Sequence, residues 1–187
     1  GGANWNAVNG NLPNSLITYL TVHPENADQV YVTFGGYTSG RKVYRSISGG
    51  TTWTNISGTL PNLPANCVLV QPNSNGVLYA GMDVGVYRLE PSAQDWTLFN
   101  AGLPNVPVTE LEIRRNSNKI LASTYGRGLW ESDLQPLTDP CDAPANLTAT
   151  GIGTRLATLQ WDAVNTATGY TLDLRESGVV PWTTFTD

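Results

Sequence analysis

Charge is scarce in this chain: 13% of its 187 residues are Asp, Glu, Lys or Arg, giving a formal net charge of -5. Methionine and histidine occur once each, phenylalanine three times and cysteine twice. So few Lys, Glu and Met leave little material for amphipathic helices, and the surface must be covered by Asn, Thr, Ser and Gly, which suits a β-rich extracellular protein. The basic residues stand singly apart from Arg41-Lys42 and Arg114-Arg115. No stripe exists to neutralise phosphates, and a nucleic-acid partner is excluded from the expectations. No apolar run approaches the ~18 residues of a membrane span. The start Gly1-Gly2-Ala3-Asn4 has none of the marks of a signal peptide.

Two cysteines cannot hold a zinc ion by themselves, and no cofactor is expected. Cys67 lies in an apolar run and Cys141 in a linker-like stretch. A disulfide between them would need an oxidising compartment, and a buried unpaired Cys67 is the favoured reading. His23 precedes Pro24 in a turn, which suits a structural role better than a catalytic relay. Asp28, Asp83, Asp95 and Asp162 are dispersed, without the alternating acids of a calcium loop.

What the sequence does have is a repeat. Trp5, Trp53 and Trp96 each stand seven residues before a Leu-Pro pair: Leu12-Pro13, Leu60-Pro61 and Leu103-Pro104. After those leucines come Leu20 and Val22, Val68 and Val70, Leu111 and Ile113, the period-two signature of one strand face. A second run follows as Val30-Tyr31-Val32, Val77-Leu78-Tyr79 and Ile120-Leu121-Ala122. A third is Lys42-Val43-Tyr44-Arg45, Gly85-Val86-Tyr87-Arg88 and Gly128-Leu129-Trp130-Glu131. Tyr44, Tyr87 and Trp130 are spaced by 43 residues in both steps. The first copy is longer, and its extra residues are expected in turns at 23–29 and 35–40.

With the run opened by tryptophan, each copy holds four short strands, the pattern of a propeller blade. The expected fold is all-β: a partial β-propeller of three four-stranded repeats over 1–134, a linker at 135–143, and the start of a β-sandwich over 144–187. Trp5 is expected to begin a fourth strand with no first three, and the copy ending at Ser132 to lack a fourth. Three blades do not close a ring, which typically takes about 4 to 8, so the chain is expected to belong to a longer protein whose other domains are its neighbours.

The stretch 45–53 resembles the Asp-box, or BNR, repeat (Ser-x-Asp-x-Gly-x-x-Trp): Ser46, Gly50 and Trp53 match, and Ser48 stands where the family has aspartate. That substitution implies the same turn with a weaker side-chain cap. The closing run 123–131 is similar to the last blade of BNR propellers in exported Bacteroidetes-type proteins of the sialidase and sortilin-like superfamily. Residues 144–149, 157–161 and 169–174, with Trp161 and Tyr170, resemble the first strands of a fibronectin type III module.

If the Asp-box turn joins third and fourth strands, the loops joining second to third lie on the opposite face, which carries the active site in enzymes of that superfamily. These loops, 35–41, 82–84 and 124–127, present Tyr37, Arg41, Asp83, Tyr125 and Arg127. They are candidates for a ligand-binding rim, set against the plainer reading that they cap turns. A sialidase-like site would need an arginine cluster and a tyrosine nucleophile with an acidic partner; a xyloglucanase-like one needs two carboxylates. Asp83 is the one acid in the three loops, so no catalytic residue is assigned. The serine at position 48, the single acid in these loops and the absence of an acid, base and nucleophile set favour a non-catalytic structural or recognition module, acting in adhesion or in protein or carbohydrate binding. The surface composition, the propeller and the fibronectin-like module suggest a secreted or cell-surface protein resembling substrates of the type IX pathway. A glycoside hydrolase completed by further blades is the alternative.

Overall fold

The computed structural model describes residues 2, 4–114, 117–135, 144–153, 157–162, 171–174 and 183–186. It divides into two compact units, Gly1–Gln135 and Pro136–Asp187. The described residues contain strands and turns and no helix.

The first unit is built from consecutive up-and-down antiparallel sheets of propeller-blade type. Strands β1 (Ile17–His23), β2 (Asn26–Phe34), β3 (Val43–Ser46) and β4 (Thr54–Asn55) form one sheet in chain order. Strands β5 (Ala65–Val70), β6 (Leu78–Met82), β7 (Gly85–Leu89) and β8 (Thr97–Leu98) repeat it. The third sheet has three strands: β9 (Val108–Arg114), β10 (Lys119–Thr124) and β11 (Gly128–Asp133).

The register matches the sequence repeat position by position. Leu20 faces Val32 and Tyr44 faces Val32; Val68 and Tyr87 face Ala80; Leu111 and Trp130 face Ala122. Two apolar clusters separate the sheets. Tyr31 and Val43 of the first sheet meet Val68, Val70, Leu78 and Ala80 of the second. Cys67, Tyr79 and Val86 of the second meet Val108, Leu111, Ile120 and Ala122 of the third. Alternation puts one set of side chains on each face, so every inner sheet must be apolar on both.

One tryptophan ties each of the first two sheets to the connection before it. Trp53 and Trp96 are 6% and 5% exposed. The Trp53 indole N–H donates to Val8 O (3.1 Å) and Gly50 O (2.9 Å), and that of Trp96 donates to Ile56 O (2.7 Å). Asn11 grips the Trp53 backbone from both sides, its Oδ1 accepting from Trp53 N–H (2.8 Å) and its Nδ2 donating to Trp53 O (2.9 Å). Thr59 does the same to Trp96 with one hydroxyl (3.0 and 3.1 Å). The chain passes so close that Gly10 and Gly58, at φ 45° and 44°, lie directly under the carbonyls of Thr51 and Gln94.

Three features depart from the sequence reading. Residues 26–29 are strand, because β1 and β2 extend beyond the other hairpins, with His23 facing Asn26 across a turn at 24–25 and Gly49 N–H donating to Asp28 O. Trp5 begins no strand and is 92% exposed. In the second unit, β12 (Thr148–Thr150) pairs with β13 (Thr158–Gln160), and β14 (Thr171–Leu174) with an unanticipated β15 (Thr183–Thr186). Cys141 and Tyr170 lie outside the described residues.

Gly58→Ala should cost about 2 kcal/mol or more in stability, because its methyl meets backbone as well as a positive φ. Gly36→Ala, also at positive φ but with open space around it, should cost about 1 kcal/mol. Calorimetric melting of the two variants tests the difference. A pH prediction follows from Cys67, a free, buried thiol. Burial is the main cause that pushes its pKa up to about 12 from the ordinary 9.0, aided by the negative charge of Glu110 and opposed by backbone hydrogen bonds at Gly81 and Leu111. Between those values the unfolded chain loses a proton that the folded chain keeps, so stability falls as pH rises. Denaturant titrations from about pH 8 to about pH 10 should show this fall, and Cys67→Ala should show a smaller one.

Candidate functional site

The meander decides which turns share a face. Connections β1–β2 and β3–β4 lie at one end of the first sheet, joined by the Gly49 to Asp28 bond, and the β2–β3 loop lies at the other. On the β3–β4 end the turn over 46–53 is closed by side chains. Ser46 Oγ accepts from the N–H groups of Ser48 (3.1 Å) and Gly50 (2.9 Å). Ser48 Oγ accepts from Thr52 N–H (3.0 Å), and glycines 49 and 50 take the positive φ that the turn demands. The serine thus reaches a backbone donor as an aspartate would, without its charge.

At the opposite end three equivalent latches anchor the rim loops: Gly35 N–H to Leu16 O (3.0 Å), Asp83 N–H to Pro64 O (3.3 Å) and Tyr125 N–H to Pro107 O (2.9 Å). Side chains join neighbouring sheets at this end. Thr18 Oγ1 donates to Ala65 O (2.5 Å), and Asn66 Nδ2 reaches both Asp83 Oδ1 (3.0 Å) and Val108 O (3.2 Å). The five candidate residues therefore share one face. Tyr37, Arg41, Tyr125 and Arg127 are exposed and Asp83 is half-buried. No hydrogen bond or ion pair joins any two of the five. The rim is a set of separate projections, and its one carboxylate is held by Asn66.

Lys42 went unassigned in the sequence reading. It is fully buried, and its ammonium donates to Gly36 O (2.8 Å), pinning the 35–41 loop from below. Desolvation lowers its pKa from the ordinary lysine value. The signal was present: Lys42 occupies the repeat position held by Gly85 and Gly128. Glu110 and Glu112 on β9 were also passed over. They are exposed, and their charge adds to burial in raising the pKa of the Tyr19 hydroxyl. They sit where the other copies have Tyr19 and Thr21, Cys67 and Leu69, so they broke a pattern read only for its apolar members. His23 ends β1 rather than lying in the turn, and its Nδ1 accepts from Glu25 N–H (3.2 Å) across the tip of the hairpin. Among the described residues no three His, Cys, Asp or Glu side chains group as metal ligands.

No protein-family profile and no curated protein matches the chain. Among solved structures it is similar to the crystal structure of the Niastella koreensis GH74 enzyme, at 18% identity and a TM-score of 0.44. The alignment covers 78% of this chain and 22% of that one. The fold described above rests on the sheets themselves.

If Asp83 is a tie between loop and sheet, its loss and that of Asn66 should not add. Asp83→Ala and Asn66→Ala should each cost about 1 kcal/mol, and the double variant should fall short of their sum by about 0.5 kcal/mol or more. A denaturation double-mutant cycle measures this coupling.

Proposed function

We propose that the first unit is a non-catalytic structural or recognition module of a secreted or cell-surface bacterial protein, and that it binds protein or glycan through the face carrying Tyr37, Arg41, Asp83, Tyr125 and Arg127. The observation that carries the reading is the state of Asp83. The only acid in the three loops has its carboxylate engaged by Asn66, and among the described residues no second acid, base or nucleophile hydrogen-bonds to it. Exposed tyrosines and arginines on separate loops supply flat apolar area and charge for a surface contact, without the enclosed geometry that bond cleavage requires.

The Asp-box reading of 46–53 is supported by the Ser46 and Ser48 bonds to the turn backbone, and the turn is structural. The fibronectin-like reading of 144–187 is supported by two antiparallel hairpins near the expected strands. Together they fit an extracellular multidomain protein in which this region spaces or presents other domains.

The test is an assay of the protein on sialosides and β-glucans alongside a glycan-array binding screen, repeated with Asp83→Asn and Tyr125→Phe. The module should bind without turnover, with weaker binding in Tyr125→Phe. Robust hydrolysis lost in either variant would replace the recognition reading with a glycoside hydrolase.

A further inference from the structure

The third strand of each sheet carries a charged residue at one repeat position: Arg45, Arg88 and Glu131. In the second sheet Arg88 is ion-paired with Glu90, and in the third Glu131 is paired with Arg114 (3.2 Å). The first sheet lacks such a pair, because Ile47 stands 43 residues before Glu90 and takes its repeat position. Among the described residues the Arg45 guanidinium makes no hydrogen bond and no ion pair, and its Nε is buried without an acceptor. A guanidinium N–H withdrawn from water and left unbonded costs stability unless a ligand supplies the acceptor.

Arg45 borders a cavity of about 520 Å³ between the first and second sheets, at the end opposite the rim loops. That volume suits a sugar better than a lone ion. Tyr31 faces Arg45 across the β2–β3 ladder; burial raises the pKa of its hydroxyl, and the nearby Arg45 charge opposes the rise. The hydroxyl donates to Gln29 Oε1 (3.1 Å), so its oxygen is able to accept. Leu78 and Leu89 of the second sheet give the cavity an apolar floor. Glu90 also borders it, but its carboxylate is held by Arg88, and Arg45 carries the uncompensated charge.

The lengthened β1–β2 hairpin forms part of the wall. Its second strand begins at Asn26, so Gln29 is held within a ladder. The hairpin tip is tied to the second sheet where Glu25 Oε1 accepts from Asn73 N–H (2.9 Å). Asn73 and Asn75 take φ 56° and 53° in that turn, which brings Asn75 to the cavity. The copy with the extra residues is thus also the copy with the unpaired arginine.

We propose that this cavity binds an acidic sugar, a hexuronate unit, whose carboxylate lies along the Arg45 edge formed by Nε and a terminal nitrogen. One guanidinium matches one negative charge, and its planar edge matches the two oxygens of a carboxylate. The Tyr31 hydroxyl and the Gln29 amide serve the ring hydroxyls, and Leu78 and Leu89 take the C–H face of the ring. The site is separate from the rim face, at the other end of the same sheets.

Titrations of the chain followed by amide nuclear magnetic resonance test the proposal, with glucuronate, galacturonate, glucose, acetate and a triglutamate peptide as separate probes. At least one uronate should bind at millimolar concentration and shift the amides of Gln29, Tyr31, Arg45 and Gln94, leaving those of the rim loops in place. Glucose and acetate, each carrying half of the match, should bind about tenfold more weakly. Arg45→Gln should weaken uronate binding by about tenfold or more and melt at or above the wild-type temperature, since it removes an unpaired charge. Arg45→Lys keeps the charge but loses the planar edge, and should weaken binding nearly as much. No shift with either uronate, or shifts confined to the rim loops, would overturn the proposal. So would acetate binding as tightly as the uronates, which would mark a site for any carboxylate, or triglutamate binding more tightly, which would mark a protein partner.

Discussion

An indole N–H donating to a carbonyl of the preceding connection is the bond on which the order of the first unit depends. Strands β4 and β8 are two residues long, too short to hold a sheet edge by ladder bonds alone. The ring of Trp53 or Trp96 supplies the missing attachment. It buries a large apolar surface against the sheet while its one polar atom and its own backbone are satisfied by the connection that the chain has just left. The first and second sheets are thereby each fixed to the connection that enters them, and through Trp96 the second is fixed to the first. The close glycines at 10 and 58 are the steric cost of that approach.

The same stacking explains why the rim loops can form a surface. With the inner strands β1, β5 and β9 side by side, and with Thr18 and Asn66 joining neighbouring sheets at one end, the second-to-third connections emerge together. The 35–41 loop is the longest of the three, and the buried Lys42 supports it from beneath. The face presents aromatic and cationic side chains singly, each on its own turn.

Much of this was legible along the chain. The spacing of Trp5, Trp53 and Trp96 from their Leu-Pro pairs, and of Tyr44, Tyr87 and Trp130 from one another, predicts the strand order, the register and the opposite placement of the two turn sets. These follow from local chemistry: alternation for faces, glycine and proline for turns, repetition for stacking. The lengthened β1–β2 hairpin was not legible, because residues 23–29 read as turn formers, whereas His23 and residues 26–29 are strand through cross-strand pairing and the Gly49 bond, leaving the turn at 24–25. The support of the candidate site was missed for a related reason. Lys42 looks like any strand lysine until the loop folds over it.

The sequence by itself determined the all-β class, the repeat, the strand faces and the residue types offered on the rim, since each depends on neighbours a few positions away or on a recurring interval. Tertiary structure decided what those residues do. It bound Asp83 to Asn66, buried Lys42 under Gly36, left Trp5 in solvent, and gathered Phe99, Leu103, Ile120, Ala122 and Trp130 around one cavity. Such outcomes depend on contacts between distant segments, where shape and desolvation act, and no periodicity in the chain encodes them.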